Sequence, residues 1–169
     1  MSIPSRFRGI VAGATYTAGA VGIPGGLALG ADVPFLIGIW GTGAYLIASQ
    51  SDCTTTKKQW VGVATACASG VATFVGGAKI AALFLPAVGP LAAVGLNASL
   101  DALFTYRFLR AVSKVYDRFD REEILQQALY NSAYLAAGLF SVFALPGDIR
   151  DMAALLSEGH AGCRDLFKA

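Results

Sequence analysis

Five long stretches without a charged residue dominate this sequence. They cover residues 9–31, 33–51, 59–78, 80–100 and 124–147. Each has about the 20 residues that a helix needs to cross roughly 30 Å of hydrocarbon. A water-soluble helical domain would instead carry polar outer faces on most of its helices. The pattern therefore predicts a helical protein that resides in a membrane.

The overall composition agrees with this prediction. Apolar residues make up 55% of the chain and charged residues 14%, compared with about 25% charged in an ordinary soluble domain. So apolar a chain is not disordered, and a net charge of +2 is too small by itself for a nucleic-acid partner. Cys53, Cys67 and Cys163 form no C-x-x-C pair, which argues against a disulfide framework and a zinc site.

The fold class predicted is all-α. Proline and glycine at 22–26 and 86–90 should bend or end helices there, because proline removes a backbone donor and clashes with the preceding turn. This predicts a membrane bundle of five to six helices with broken hairpins, in a domain 1–147 followed by an amphipathic tail helix in 148–169. The helices are expected near 6–23, 32–49, 59–84, 90–119, 122–145 and 149–166.

Two topologies satisfy this pattern. The helices either cross the bilayer, or the broken hairpins dip into one leaflet and return, provided their backbone is buried in protein. Basic residues at 6–8, 57–58 and 107–121 lie on one side in both arrangements, and that side is expected to be cytoplasmic.

Small residues recur every four positions in two of the stretches, 9–31 and 59–78. Such stripes let helix backbones approach closely in lipid. They predict either a glycine zipper that assembles subunits or packing within one chain. The glycines concerned are Gly9, Gly13, Gly22, Gly26, Gly30, Gly62 and Gly70.

Four polar residues interrupt the apolar surroundings: Asp32, Lys79, Asn97 and Asp101. A charge in the bilayer centre costs about 2.5 to 3.5 kcal/mol on insertion scales, so each residue should lie at an interface, line water or find a partner. Asp32 precedes Val33 and Pro34 and is predicted to cap a helix. A Lys79 to Asp101 pair is a further option.

A basic amphipathic helix is predicted over 105–121. Its basic residues step by three or four positions and share one face, opposite an apolar face with Phe108, Val112, Val115 and Phe119. This face either contacts lipid headgroups, at about 1 kcal/mol per basic residue, or is simply solvated. Its residues are Arg107, Arg110, Lys114, Arg118 and Arg121.

Catalytic and cofactor motifs are missing from the sequence. The single histidine, His160, lies three residues before Cys163, without acids or metal ligands at a recognisable spacing. No phosphate-binding loop, dinucleotide fingerprint or nucleophile elbow occurs. We therefore expect no enzyme, no cofactor and no bound metal.

Two segments resemble a known family. The stretch GIPGGLALGADVPFLI at 22–37 resembles the opening of the EcsC family of bacterial proteins, and LPAVGPLAAVGLNA at 85–98, followed by a basic helix, is similar to a later element of that family. The chain is also similar to a domain of unknown function appended to some bacterial GTPases. The resemblance implies a helical, membrane-associated bacterial protein and transfers no catalytic residue.

These observations predict a non-enzymatic integral protein of the bacterial inner membrane with membrane lipid as a partner. The sharper expectation is a small channel or membrane-permeabilising effector, assembled as a homo-oligomer, in which the four polar residues line a wet path. The alternatives are an accessory or scaffold subunit of a larger membrane complex and a peripheral lipid-binding module. Nucleic acid is not expected as a partner.

Overall fold

The computed structural model describes residues 3–25, 31–51, 90–118 and 145–166. These residues form four α-helices and no strand: α1 (Ser5–Gly25), α2 (Val33–Ser49), α3 (Pro90–Arg118) and α4 (Leu145–Leu166). The all-α prediction is confirmed for this part of the chain, and the four corresponding helices were predicted with boundaries within a few residues. The helices predicted at 59–84 and 122–145 fall outside the described ranges, except that Leu145 begins α4. The bundle of five to six membrane helices is therefore not confirmed.

Proline positions explain several of the helix boundaries. α1 ends one residue after Pro24, as the predicted reversal at 22–26 requires. α3 begins at Pro90, and Pro34 lies in the first turn of α2, where the missing backbone donor has no cost. Pro146 similarly lies in the first turn of α4. The predicted domain boundary at 147/148 falls inside this turn, so the tail helix begins three residues earlier than expected.

The core forms where the apolar faces of the helices meet. Trp40 of α2 is fully buried and stacks on Phe108 of α3, with ring centroids 4.7 Å apart. Its indole Nε1 donates a hydrogen bond of 2.6 Å to the Thr105 hydroxyl, which satisfies the polar end of this large side chain. Of the four residues predicted for the apolar face of the basic helix, Phe108, Val112 and Val115 are buried in the core, and Phe119 lies outside the described residues.

The C-terminal helix α4 docks on this core. Leu155 is buried in the core and Met152 packs against the core, whereas the side chain of Ile149 is about half exposed. The amphipathic tail helix therefore docks on the core through residues in its middle.

A helix that crosses a bilayer needs about 20 consecutive, predominantly apolar residues. None of the four described helices is both long enough and apolar enough to cross a membrane.

Candidate functional site

Three of the four predicted intramembrane polar residues come together in one buried cluster. Asn97 has no exposed surface, and Asp101 and Asp32 are 1% and 3% exposed. The Asn97 amide Nδ2 donates to the Gly22 carbonyl oxygen at 2.7 Å and to Asp32 Oδ2 at 2.6 Å, and it lies 3.3 Å from Asp101 Oδ2. The cluster therefore ties the end of α1 and the start of α2 to α3.

The orientation of the Asn97 amide follows from its surroundings. An amide nitrogen donates and an amide oxygen accepts, and all three neighbours of Nδ2 are oxygen atoms. Oδ1 is buried and accepts no hydrogen bond from the described residues. The Asn97 side chain therefore acts here as a hydrogen-bond donor through Nδ2. The contacts of Nδ2 restrict the register of the three helices, because a shift of one helix would leave buried polar groups without these partners.

Asp32 does not cap α2 in the way the sequence predicts. It occupies the N-cap position, but its backbone is helical (φ −81°, ψ −22°) and its side chain makes no capping hydrogen bond. An N-cap side chain normally reaches back to the helix from an extended backbone. The carboxylate of Asp32 contacts Asn97 instead, which is a tertiary contact between residues 65 positions apart.

Gly22 allows α1 to approach α3 at this cluster. A Cβ atom built on Gly22 would lie 2.6 Å from Asp101 Oδ2 and 2.7 Å from Ala98 Cα, closer than any real side chain tolerates. Two alternatives were predicted for the glycine stripes, a glycine zipper between subunits and packing within one chain. Gly22 takes part in packing within the chain. Gly26, Gly30, Gly62 and Gly70 lie outside the described residues, as does Lys79 with its suggested pairing to Asp101.

The basic face of α3 is directed at α4 rather than at open solvent. The Arg107 side chain is 5% exposed, and its Nε donates to Asp148 Oδ2 at 2.8 Å. Arg110 contacts the other Asp148 oxygen and lies 3.6 Å from Asp151. A carboxylate in the first turn of a helix also suits the helix dipole.

This arrangement differs from the headgroup contact expected for these residues. Arg107 and Arg110 form ion pairs with carboxylates of α4, and Lys114 is partly buried. Arg121 and the side chain of Arg118 are not described. The sequence shows the basic face of α3, but it gives no local signal for a partner 38 to 41 residues away.

Two further ion pairs involve residues at the start of α1. Arg6 Nη2 lies 3.3 Å from Asp117 Oδ1 of α3 and 3.4 Å from the Tyr116 carbonyl oxygen. Arg8 contacts Glu158 of α4 at 2.7 Å. These pairs are about half exposed, so each adds little stability. α2 carries no charged residue at all.

An apolar groove runs between α1 and α2, on their solvent side. Its volume is about 670 Å³, within the range of 300 to 1,000 Å³ found for ligand pockets. Gly9, Gly13 and Gly38 border it, and a Cβ atom built on any of them would meet nothing within 4 Å. Among the described residues, the lining contains no charged side chain and consists of Gly9, Ile10, Gly13, Ala14, Thr17, Val21, Pro34, Phe35, Gly38, Ile39, Thr42, Gly43 and Leu46.

Tyr106 of α3 is a buried tyrosine whose ionisation is perturbed. Burial raises the pKa of its hydroxyl above the ordinary value of 10.0. The Arg110 guanidinium, 5.6 Å from the ring centroid, works in the opposite direction, while Asp151 and Asp148 raise the pKa further. The folded protein therefore favours the neutral phenol.

This shift gives a pH prediction. A pKa raised by folding leaves stability intact below the unfolded value near pH 10 and reduces it as the pH rises further. We expect Tyr106→Phe to remove this part of the alkaline loss, so that its stability relative to the wild type increases between about pH 8 and pH 11. Urea unfolding of both proteins at each pH measures the difference. An unchanged difference would contradict the prediction.

The polar clusters of the described residues join helices to one another. Within the described residues, no group of three or more His, Cys, Asp or Glu side chains converges in a way that could hold a metal ion. The side chains of His160 and Cys163 are not described.

Comparison with known proteins adds no assignment. No protein-family model matches the chain, and neither the curated proteins nor the solved structures contain a match. The resemblance to the EcsC family therefore remains a prediction from the sequence.

Proposed function

We propose that this chain is a non-enzymatic, membrane-associated protein that contacts lipid through the α1–α2 face. We define this face as the exposed side of the two helices, with Tyr16 and Ile23 on α1 and Phe35 and Leu46 on α2. The observation that supports the proposal is the separation of charge. The described ion pairs join α1, α3 and α4, while 9–25 of α1 and all of α2 are uncharged.

Exposed apolar side chains concentrate on the same face. Tyr16 is 71% exposed, Phe35 61% and Leu46 43%. Scattered exposed apolar residues are ordinary, but a continuous uncharged face that includes large ones is typical of surfaces that contact a membrane or another protein. The location of the chain in the bacterial inner membrane is part of the proposal. It is supported by the resemblance of the sequence to the EcsC family.

Vesicle flotation tests this proposal. The purified chain should float with vesicles of neutral phospholipid, and high salt should not release it, because the proposed contact is apolar. The double variant Phe35→Asp/Leu46→Asp should lower the bound-to-free ratio at least tenfold, since a charge moved into lipid costs up to about 2.5 to 3.5 kcal/mol.

The matched control is Ile149→Asp, which places the same charge at a half-exposed isoleucine of α4, outside the α1–α2 face. It should float like the wild type. Failure of the wild type to bind neutral vesicles would refute the proposal. Binding that requires anionic lipid and is lost in salt would assign membrane contact to basic residues instead.

The channel function predicted from the sequence is a separate proposal. Asp32, Asn97 and Asp101 contact each other in the protein interior, so a water path through the described bundle would have to be lined by other residues. Dye release from vesicles that carry the bound protein tests permeabilisation. No release at a high protein-to-lipid ratio would remove the channel, and recovery of a stoichiometric partner would favour the accessory subunit.

A further inference from the structure

We propose that the described bundle enters lipid by one end. This end consists of residues 16–25, 31–40 and 90–106, and we call it the uncharged end. It lies in the hydrocarbon of one leaflet, and the opposite end stays at the level of the headgroups. This orientation rests on the proposed lipid contact and adds to it a direction and a depth of insertion. It also extends the contact from α1 and α2 to the start of α3.

α1 and α3 run in opposite directions. Gly22, in the last turn of α1, lies against Ala98 in the third turn of α3. Arg6, in the first turn of α1, lies 3.3 Å from Asp117 in the last turn of α3. The end of α1 therefore lies beside the start of α3, and the start of α1 lies beside the end of α3.

α2 runs in the same direction as α3. Asp32, immediately before α2, contacts Asn97 early in α3. Trp40, in the middle of α2, donates to Thr105 further along α3. The last turns of α1 and the first turns of α2 and α3 therefore meet at one end of the bundle. Leu46, in the last turn of α2, lies toward the opposite end.

The charges of the described helices are segregated along this axis. The uncharged end has two charged residues, Asp32 and Asp101, which are only 3% and 1% exposed and both lie against Asn97. α4 adds its charges at the other end, because Asp148 in its first turn pairs with Arg107. Charged residues inside a membrane are expected to face the protein interior and find partners there. The described surface of the uncharged end meets this requirement.

Exposed apolar side chains and the length of the uncharged end fit one leaflet. Ile23 and Phe35 are 54% and 61% exposed, and Leu96, which lies outside the α1–α2 face, is 39% exposed. α3 rises by about 16 Å from Leu96 to Arg107, close to the roughly 15 Å of hydrocarbon in one leaflet. Tyr16 precedes Ile23 by about 10 Å along α1. This places Tyr16 near the headgroups, where tyrosine is enriched.

Two leucines of similar exposure test the orientation by flotation with neutral vesicles. Leu96 is 39% exposed at the uncharged end, and Leu46 is 43% exposed toward the other end. Leu96→Asp should lower the bound-to-free ratio at least tenfold, because it moves a charge into hydrocarbon. Leu46→Asp should change the ratio less than twofold, because its carboxylate stays near the headgroups. Ile23→Asp, at the uncharged end of α1, should act like Leu96→Asp.

Helix content and urea unfolding of each variant separate a folding defect from a loss of binding, and Ile23→Asp replaces Leu96→Asp if the latter does not fold. Equal losses at Leu46 and Leu96, or a loss at Leu46 alone, would overturn the orientation and leave the proposed function intact, because the α1–α2 face would then lie flat on the lipid. Leu96→Asp protein that is folded and floats like the wild type would also overturn it. A wild type that does not float refutes the proposed function and the orientation together.

Discussion

Replacing Asp148 by alanine is expected to lower the free energy of unfolding by about 3 to 5 kcal/mol, the cost of removing one partner from a buried ion pair. Asp148 is 7% exposed and accepts from Arg107 and Arg110 on α3. Its loss leaves the buried guanidinium of Arg107 and the partly buried guanidinium of Arg110 without the carboxylate that both contact. Urea unfolding monitored by circular dichroism measures the change.

The control for this prediction is Glu158→Ala on the same helix. Glu158 also contacts an arginine of another helix, but this pair with Arg8 is about half exposed, so its loss should cost less than about 1 kcal/mol. The double variant Arg107→Met/Asp148→Leu should recover part of the stability, because apolar groups of similar size can replace a buried pair. Equal effects of the Asp148 and Glu158 variants would show that burial of the cluster is not the cause.

The second large effect is expected at Gly22. Gly22→Ala should lower the free energy of unfolding by about 3 kcal/mol, at the upper end of overpacking costs. The new methyl group would lie 2.7 Å from the Ala98 Cα atom, and backbone cannot rotate away as a side chain can. α1 would move from α3 and stretch the hydrogen bond from Asn97 to the Gly22 carbonyl oxygen.

Gly95→Ala provides the comparison for Gly22→Ala. Gly95 also lies in a helix, but a Cβ atom there meets nothing within 4 Å. The substitution should raise stability by about 0.5 to 1 kcal/mol, because alanine is the better helix former. A Gly22→Ala protein as stable as the wild type would mean that α1 and α3 are not in close contact at Ala98.

Local sequence signals predicted the helices well. Pro24 and Pro90 mark the end of α1 and the start of α3, and the apolar periodicity of α3 placed Phe108, Val112 and Val115 on one face, which the structure buries in the core. These features act within one or two turns, so a single sequence contains enough information to find them. The same applies to the identity of Asp32, Asn97 and Asp101 as unusual polar residues in apolar surroundings.

The partners of those residues were not predictable in the same way. Asp32 was expected to cap its own helix, and it contacts Asn97 instead. Arg107 and Arg110 were expected either at lipid headgroups or on a solvated face, and they contact Asp148. In each case the local sequence pattern identifies a polar side chain that needs a partner. The pattern does not decide which of several possible groups that partner is.

Glycine spacing shows the same limit. Gly9, Gly13, Gly22 and Gly26 belong to stripes of identical four-residue spacing, yet Gly22 is pressed against α3 while Gly9 and Gly13 border an open groove. Within the described residues, the sequence by itself determined which segments are helical and which faces are apolar, because proline, glycine and charge act on neighbouring turns. Only the tertiary structure decided which faces meet, because contacts such as Asn97 with Asp32 and Arg6 with Asp117 join residues 65 and 111 positions apart, and they form only when whole helices dock.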